Sequence, residues 1–229
     1  MTLFLVYGND STGKSVQMKS ICEMSDSPCY ISLEIKNRRL LKDSGIPLIE
    51  ALVIQKDYKI DPVATYEKLG KNVEEILNNP DKFDTIIIDG ISEIPRYAEK
   101  VVIKEIQKQP GKAGTKVIGK ENLAAWAVRN NLAHLPMERL SSWAEIHNKT
   151  VFLTSLMCDE YIGEKKVGRC VDAKDRLRKL CDVRVMLTND GRGYLAHFEK
   201  VPAWAKDGTS PVIVGKGGLA TEFSKRGLL

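Results

Sequence analysis

An apolar run, TLFLVY (2–7), stops at a glycine, and the eight residues that begin there, Gly8 to Ser15, read GNDSTGKS. No other stretch restricts the fold as much. The run is short and almost wholly apolar, as expected of a buried strand, and from Gly13 to about Cys22 the chain reads as a helix. A strand that passes through such a loop straight into a helix belongs to a parallel sheet flanked by helices. The spacing G-x-x-x-x-G-K-[ST] has a geometric reason. A loop of this length wraps a phosphate so that successive backbone N–H groups point inward, and the next helix adds its positive N-terminal end. Gly13 permits close backbone approach, Lys14 reaches the β- and γ-phosphates, and Ser15 offers a hydroxyl to Mg²⁺. The predicted nucleotide-binding residues are Gly8, Asn9, Asp10, Ser11, Thr12, Gly13, Lys14, Ser15 and Val16.

A second element answers the loop. DTIIIDG (84–90) is an apolar strand ending in Asp89, and a carboxylate at the C-terminal edge of a central strand can hold the water shell of Mg²⁺ beside the Ser15 hydroxyl. Ser15 and Asp89 are thus the predicted metal pair. Hydrolysis further needs a group that orients water. Glu34 ends the strand CYISLE (29–34) and would stand beside the γ-phosphate if that strand neighbours the loop strand. Glu93, four residues beyond Asp89, is the rival, and spacing alone does not choose between them.

Strands alternate with helices along the rest of the chain, which predicts an α/β fold with a mostly parallel sheet. ALVIQ (51–55) is a third strand or a short element leading to one. The stretch 61–77 has helical spacing, with Asp61 as N-cap and Pro62 at the first position, and 94–108 is a further helix. Residues 109–120 break the pattern with Pro110, three glycines and three lysines. Two helices follow, broken at Pro136, whose Trp126 and Met137 stripes are read as core. TVFLTSL (150–156) is a strand, 157–172 a polar, glycine-bearing stretch, and 183–188 and 194–201 strands joined by NDGRG, a hairpin signal. From Pro202 periodicity fades, so the predicted core is 1–201 and the tail 202–229.

At 229 residues with 43% apolar content the chain has enough material for one large domain, or for one domain with a small appendage. Its first residues carry neither a basic leader nor an apolar span, so a protein in the cytoplasm and off the membrane is expected. Five cysteines and three histidines form no C-x-x-C pair and no ligand-like cluster, which predicts reduced thiols and no zinc site. Net charge is +5, divided as −3 over the first ninety residues and +8 over the remainder, which points to a polyanionic partner of the later half.

The order of GNDSTGKS, ISLE, TIIIDGISEI, VFLTS and a final hairpin ending in FEK resembles the P-loop ATPase core of the RecA superfamily. The compact build is similar to the phage RecA-like ATPases of single-strand annealing and recombination. The resemblance spans about residues 1 to 205, and the loop motif and TIIID carry its specificity. It implies a RecA-like sheet with a C-terminal antiparallel hairpin, and ATP hydrolysis with Mg²⁺. It also implies a ring or filament of identical subunits acting on single-stranded DNA, with a single-strand-binding protein as a further partner. It puts the catalytic glutamate on Glu34, and the γ-phosphate sensor on Thr154 or Ser155. A basic residue acting from a neighbouring subunit falls on Lys200, with Lys206 as second choice; Lys14 and Asp89 complete the implied catalytic set. It assigns 109–120 and 157–172 to DNA-facing loops, with Lys112, Lys116, Lys120, Lys165, Lys166 and Arg169 on phosphates and Tyr161 as the one aromatic. The cluster Lys174, Arg176, Arg178 and Lys179 reads as a helix face. Two other readings stand beside this one. IIIDGISEIPR resembles the DG-x-PR segment of nucleoside monophosphate kinases, with Arg96 or Arg38 as a phosphoryl clamp, and a packaging or helicase motor is the third.

Overall fold

In the computed structural model the described residues are 2–35, 41, 44–118, 122–162, 165–171, 175–191, 193–205, 211–215 and 218–229, and for 159–162, 165–171 and 175 only the backbone. Lys120, Arg38, Lys174 and Lys206 lie outside them, as do the side chains of Tyr161, Lys165, Lys166 and Arg169.

The loop strand β1 (Thr2–Gly8) is buried at every position. It runs parallel to β5 (Thr150–Ser155) on one side and to β8 (Val183–Asn189) on the other. Beyond β5 the sheet continues in parallel through β4 (Thr85–Asp89), β2 (Pro28–Ser32) and β3 (Leu48–Glu50). Beyond β8 it turns antiparallel, through β9 (Tyr194–Lys200) and the two-residue β10 (Val212–Ile213). The strand order is β10-β9-β8-β1-β5-β4-β2-β3. This is the expected α/β plan: a mostly parallel sheet between helices, closed by a C-terminal antiparallel hairpin. The continuous apolar runs TLFLVY and TIIID follow from it, since a strand covered on both faces has no solvent side for polar residues.

Two cores cover the two faces. On one, Leu3, Leu5, Ile86 and Ile88 pack with residues of α2 (Pro62–Asn78), α3 (Ile94–Gln107) and α4 (Leu123–His147). On the other, Phe4, Val6 and Phe152 pack with Met18 and Ile21 of α1 (Lys14–Met24). Phe4 stacks on Phe152 with ring centroids 4.3 Å apart. The same core holds Leu219, Ala220 and Phe223 of α6 (Gly218–Lys225), all at 0% exposure. Gln17 on α1 accepts a hydrogen bond from the Leu219 N–H at 2.7 Å. The stretch beyond 202, weak in periodicity, therefore supplies part of the core.

Local chemistry explains the helix ends. Asp61 accepts from the Val63 and Ala64 N–H groups, and Pro62 occupies the first turn, as the sequence predicts. Asn122 caps α4 by accepting from Ala125 N at 3.1 Å, and Asn148 ends it in the left-handed region at φ 53°.

Four expectations are corrected. Residues 123–147 form one helix through Pro136, not two. Proline has no N–H to give the carbonyl four residues back, and here the Tyr66 hydroxyl donates to Leu132 O at 2.7 Å in its place. The α4 stripe is only partly core: Met137 and Leu140 are buried, whereas Trp126 is 45% exposed. Residues 157–172 are not a loop but mainly a hairpin, β6 (Met157–Ile162) antiparallel to β7 (Lys165–Val171), shifted in register at Glu160/Tyr161. A short helix, α5 (Asp175–Leu180), leads from it to β8. The third strand is Leu48–Glu50, and within 51–55 only Ile54 makes a bridge, to Ile60. Residues 109–118 hold turns and bends alone, as expected.

Candidate nucleotide site

The loop 8–15 leaves the end of β1 beside β8, and its two glycines are fixed by their surroundings. A Cβ on Gly8 would stand 2.4 Å from Leu187 O and 2.6 Å from the Thr12 hydroxyl. Gly13 has φ +80°, and a Cβ there would stand 2.6 Å from the Tyr194 ring at the start of β9. Thr12 closes the loop on itself by donating to Asn9 O at 2.9 Å. The Lys14 ammonium donates to Gly8 O at 3.0 Å and Asn9 O at 2.8 Å, so a buried cation lies folded along the loop. Gly13 stands at the N-cap of α1 with no side-chain cap, which leaves the first-turn amides of that helix for a ligand. Val16 faces solvent beside them.

Asp89, at the end of β4, is 1% exposed and receives three hydroxyls. Ser15 donates to its Oδ2 at 2.8 Å, Tyr30 to the same oxygen at 2.5 Å, and Thr154 to Oδ1. Burial first, and then the Asp89 carboxylate, push the Tyr30 phenol well above its ordinary range, so it remains a donor. Thr154 also accepts from Gly90 N at 2.9 Å. The hydroxyl predicted to sense a γ-phosphate is thus committed to Asp89, and its neighbour Ser155 is fully buried.

The condition attached to Glu34 is not met: β5 and β4 stand between its strand and the loop strand. Glu34 comes to the site from the other side. β2 pairs with β4 in the register Ser32↔Asp89, and Leu33 N donates to Asp89 O at 2.9 Å. The next residue then lies over Gly90, where a Cβ would meet the Glu34 Cγ at 2.9 Å. Gly90 has φ +93° and leaves room for that carboxylate. Glu93 lies in a 3₁₀ turn and is paired with Arg96 at 2.5 Å, and Arg96 in turn lies over the Tyr97 ring at 5.3 Å.

Lys200 is not part of its own chain's loop site. It pairs with Arg184 near the start of β8, whereas Gly8 pairs with Leu187. Its ammonium donates to the carbonyls of Lys179 and Cys181. With Arg178, Lys179 and Arg184 it lines a cleft of about 530 Å³. One residue earlier, Glu199 accepts a hydrogen bond from Tyr7 of the loop strand.

The residues fit a nucleotide with Mg²⁺. Gly8 and Gly13 let the loop backbone lie against Leu187 and Tyr194 where no Cβ would fit, and Ser15 and Asp89 offer hard oxygen donors at hydrogen-bond distance from one another. Among the described residues no group of three or more His, Cys, Asp or Glu could hold a metal, whereas Mg²⁺ needs only one or two carboxylates beside substrate phosphates. Sequence reasoning missed Tyr30 and Tyr194. A tyrosine in an otherwise apolar strand, two residues before Ser32 and so on its face, was the available signal for the first. For the second there was none, since Tyr194 is far from Gly13 in sequence.

A family model described as an AAA domain matches residues 2–202. No curated protein matches the chain. Solved structures similar to it include the crystal structure of the RadB recombinase, with a TM-score of 0.49 and 14% identity over 95% of this chain and 89% of that chain.

Proposed function

Because the chain belongs to the AAA domain family, we propose that it is a Mg²⁺-dependent ATPase that works as a homo-oligomer on single-stranded DNA, in recombination, annealing or replication. The observation that carries the hydrolytic part is the convergence on Asp89: Ser15 bonds its side chain at 2.8 Å, and Glu34 packs on the glycine that follows it. In this reading the amides of 9–15 and Lys14 hold the β- and γ-phosphates. Ser15 and Asp89 would hold Mg²⁺, which when bound would supply positive charge against the phosphates. Glu34 orients the attacking water, and Glu93, engaged by Arg96, serves the backbone turn instead. Lys200 and the cleft around it meet the phosphates held by a neighbouring copy. The excess of +8 after residue 90, with lysines in 109–118 and along β7, supports contact with a nucleic-acid backbone, whose affinity falls with salt.

The test is ATP turnover measured across salt with single-stranded DNA, duplex DNA, RNA and nucleoside monophosphates. Stimulation by single-stranded DNA that fades with salt is expected. Formation of nucleoside diphosphate from an added monophosphate would establish the kinase reading in its place. Glu34→Gln is expected to retain ATP binding and reduce turnover by about 10²-fold or more, with Glu93→Gln near wild type; the reverse pattern moves the role to Glu93.

A further inference from the structure

Tyr30 is a phenol at 0% exposure among Ile87, Phe152 and Leu41. Phenylalanine would fill that space equally well, and a buried hydroxyl costs free energy unless it is paired. Its partner is the Asp89 carboxylate, reached diagonally: Tyr30 is in register with Ile87, one pleat below the Ser32↔Asp89 level, and its OH donates to Asp89 Oδ2 at 2.5 Å. That oxygen also receives the Ser15 hydroxyl at 2.8 Å. A serine that donates its one hydrogen keeps its lone pairs for a cation, so the direction in which Ser15 offers them depends on where Asp89 Oδ2 is held. Thr154 anchors Oδ1 only.

Resting on the nucleotide-binding reading above, we propose that Tyr30 is a positioning residue for the Mg²⁺ site: its phenol holds Asp89 Oδ2, and through it the Ser15 hydroxyl, in the arrangement that accepts the cation. Outer partners of metal ligands commonly change metal affinity by about 10- to 100-fold. Tyr30 touches neither nucleotide nor metal in this arrangement, so it acts on the magnesium dependence of binding and not on binding itself.

The experiment follows binding of a fluorescent ATP analogue by the full chain as Mg²⁺ is titrated, together with thermal midpoints without magnesium. Tyr30→Phe is expected to raise the half-saturating Mg²⁺ concentration about tenfold while the magnesium-free nucleotide affinity stays as in the wild type. Tyr30→4-aminophenylalanine, which returns a donor to the same ring position, is expected to restore the midpoint. Tyr66→Phe, at a half-buried tyrosine on the opposite face of the sheet, is expected to lower the thermal midpoint without moving the magnesium curve. A wild-type magnesium curve in Tyr30→Phe, whatever its thermal midpoint, overturns this inference and leaves the nucleotide reading intact. Failure of the wild-type chain to bind the analogue at any Mg²⁺ concentration overturns the reading itself, and this inference with it.

Discussion

A single carboxylate organises the candidate site. Asp89 gathers hydroxyls from α1, β2 and β5, three elements that the chain separates by 59 to 74 residues from it. Buried charge is tolerated there because it is hydrogen-bonded on both oxygens. Gly13 shows the other way in which one position is fixed, by backbone and by space together. Gly13→Ala puts a methyl 2.6 Å from the Tyr194 ring on a backbone at φ +80°. It is expected to cost about 1–3 kcal/mol of stability and to weaken nucleotide binding. Adding Tyr194→Ala relieves the clash but not the strain, so recovery in a melting curve should be partial; full recovery would show that strain contributes nothing. The loop glycine was legible as a glycine requirement, but the ring that enforces it was not, because Tyr194 arrives from the far end of the chain.

Elements show a similar division. The sequence placed the capped start of α2 correctly, since Asp61 and Pro62 act within one turn. It broke α4 at Pro136, because the rescue of the orphaned Leu132 carbonyl comes from Tyr66 on another helix. That account makes a prediction. Tyr66→Phe should cost about 0.5–1.5 kcal/mol in the wild-type background, the usual net contribution of one hydrogen bond between partly buried groups. In a Pro136→Ala background, where the restored amide can bond Leu132, the cost should shrink towards zero. A double-mutant cycle by urea denaturation reads the difference, and additive effects would remove the connection. The hairpin β6–β7 escapes a reading of the sequence for a comparable reason: glycines and charges hide a pairing that alternation alone does not reveal.

At the scale of the whole molecule, burial of ionisable groups sets a response to pH. Burial pushes the thiols of Cys22, Cys29 and Cys181 up to about 12, and the Tyr66 phenol likewise to about 12. The folded chain therefore keeps protons that the unfolded chain releases above its ordinary thiol and phenol values. The resulting stability is complete below about pH 8.5 and is lost as pH rises towards 12. Urea midpoints should fall across that interval, less steeply in Cys29→Ala, and a flat profile would contradict the assignment. Assembly gives the second prediction at this scale. If Lys200 acts on a neighbour's nucleotide, Lys200→Ala and Glu34→Gln chains, each nearly inactive alone, should regain a fraction of turnover when mixed. An intact site then forms wherever a Lys200→Ala subunit presents its Glu34 to the Lys200 of a Glu34→Gln subunit. No recovery on mixing would return Lys200 to its observed place on the carbonyls of Lys179 and Cys181.

What the sequence by itself determined is local or periodic: the phosphate loop between strand and helix, the apolar strand ending in Asp89, the cap of α2, the last hairpin. Each is encoded by contiguous residues, so short-range sterics and hydrogen bonding suffice to specify it. Strand order was decided only by the tertiary structure. It put two strands between Glu34 and the loop, brought Glu34 to Gly90 through pairing with β4, and set Tyr30 beneath Asp89 and Tyr194 against Gly13. It also drew α6 into the core beside Phe4. Contacts across a sheet depend on which strands are neighbours and in what register, and neither quantity is written in any one segment of the chain.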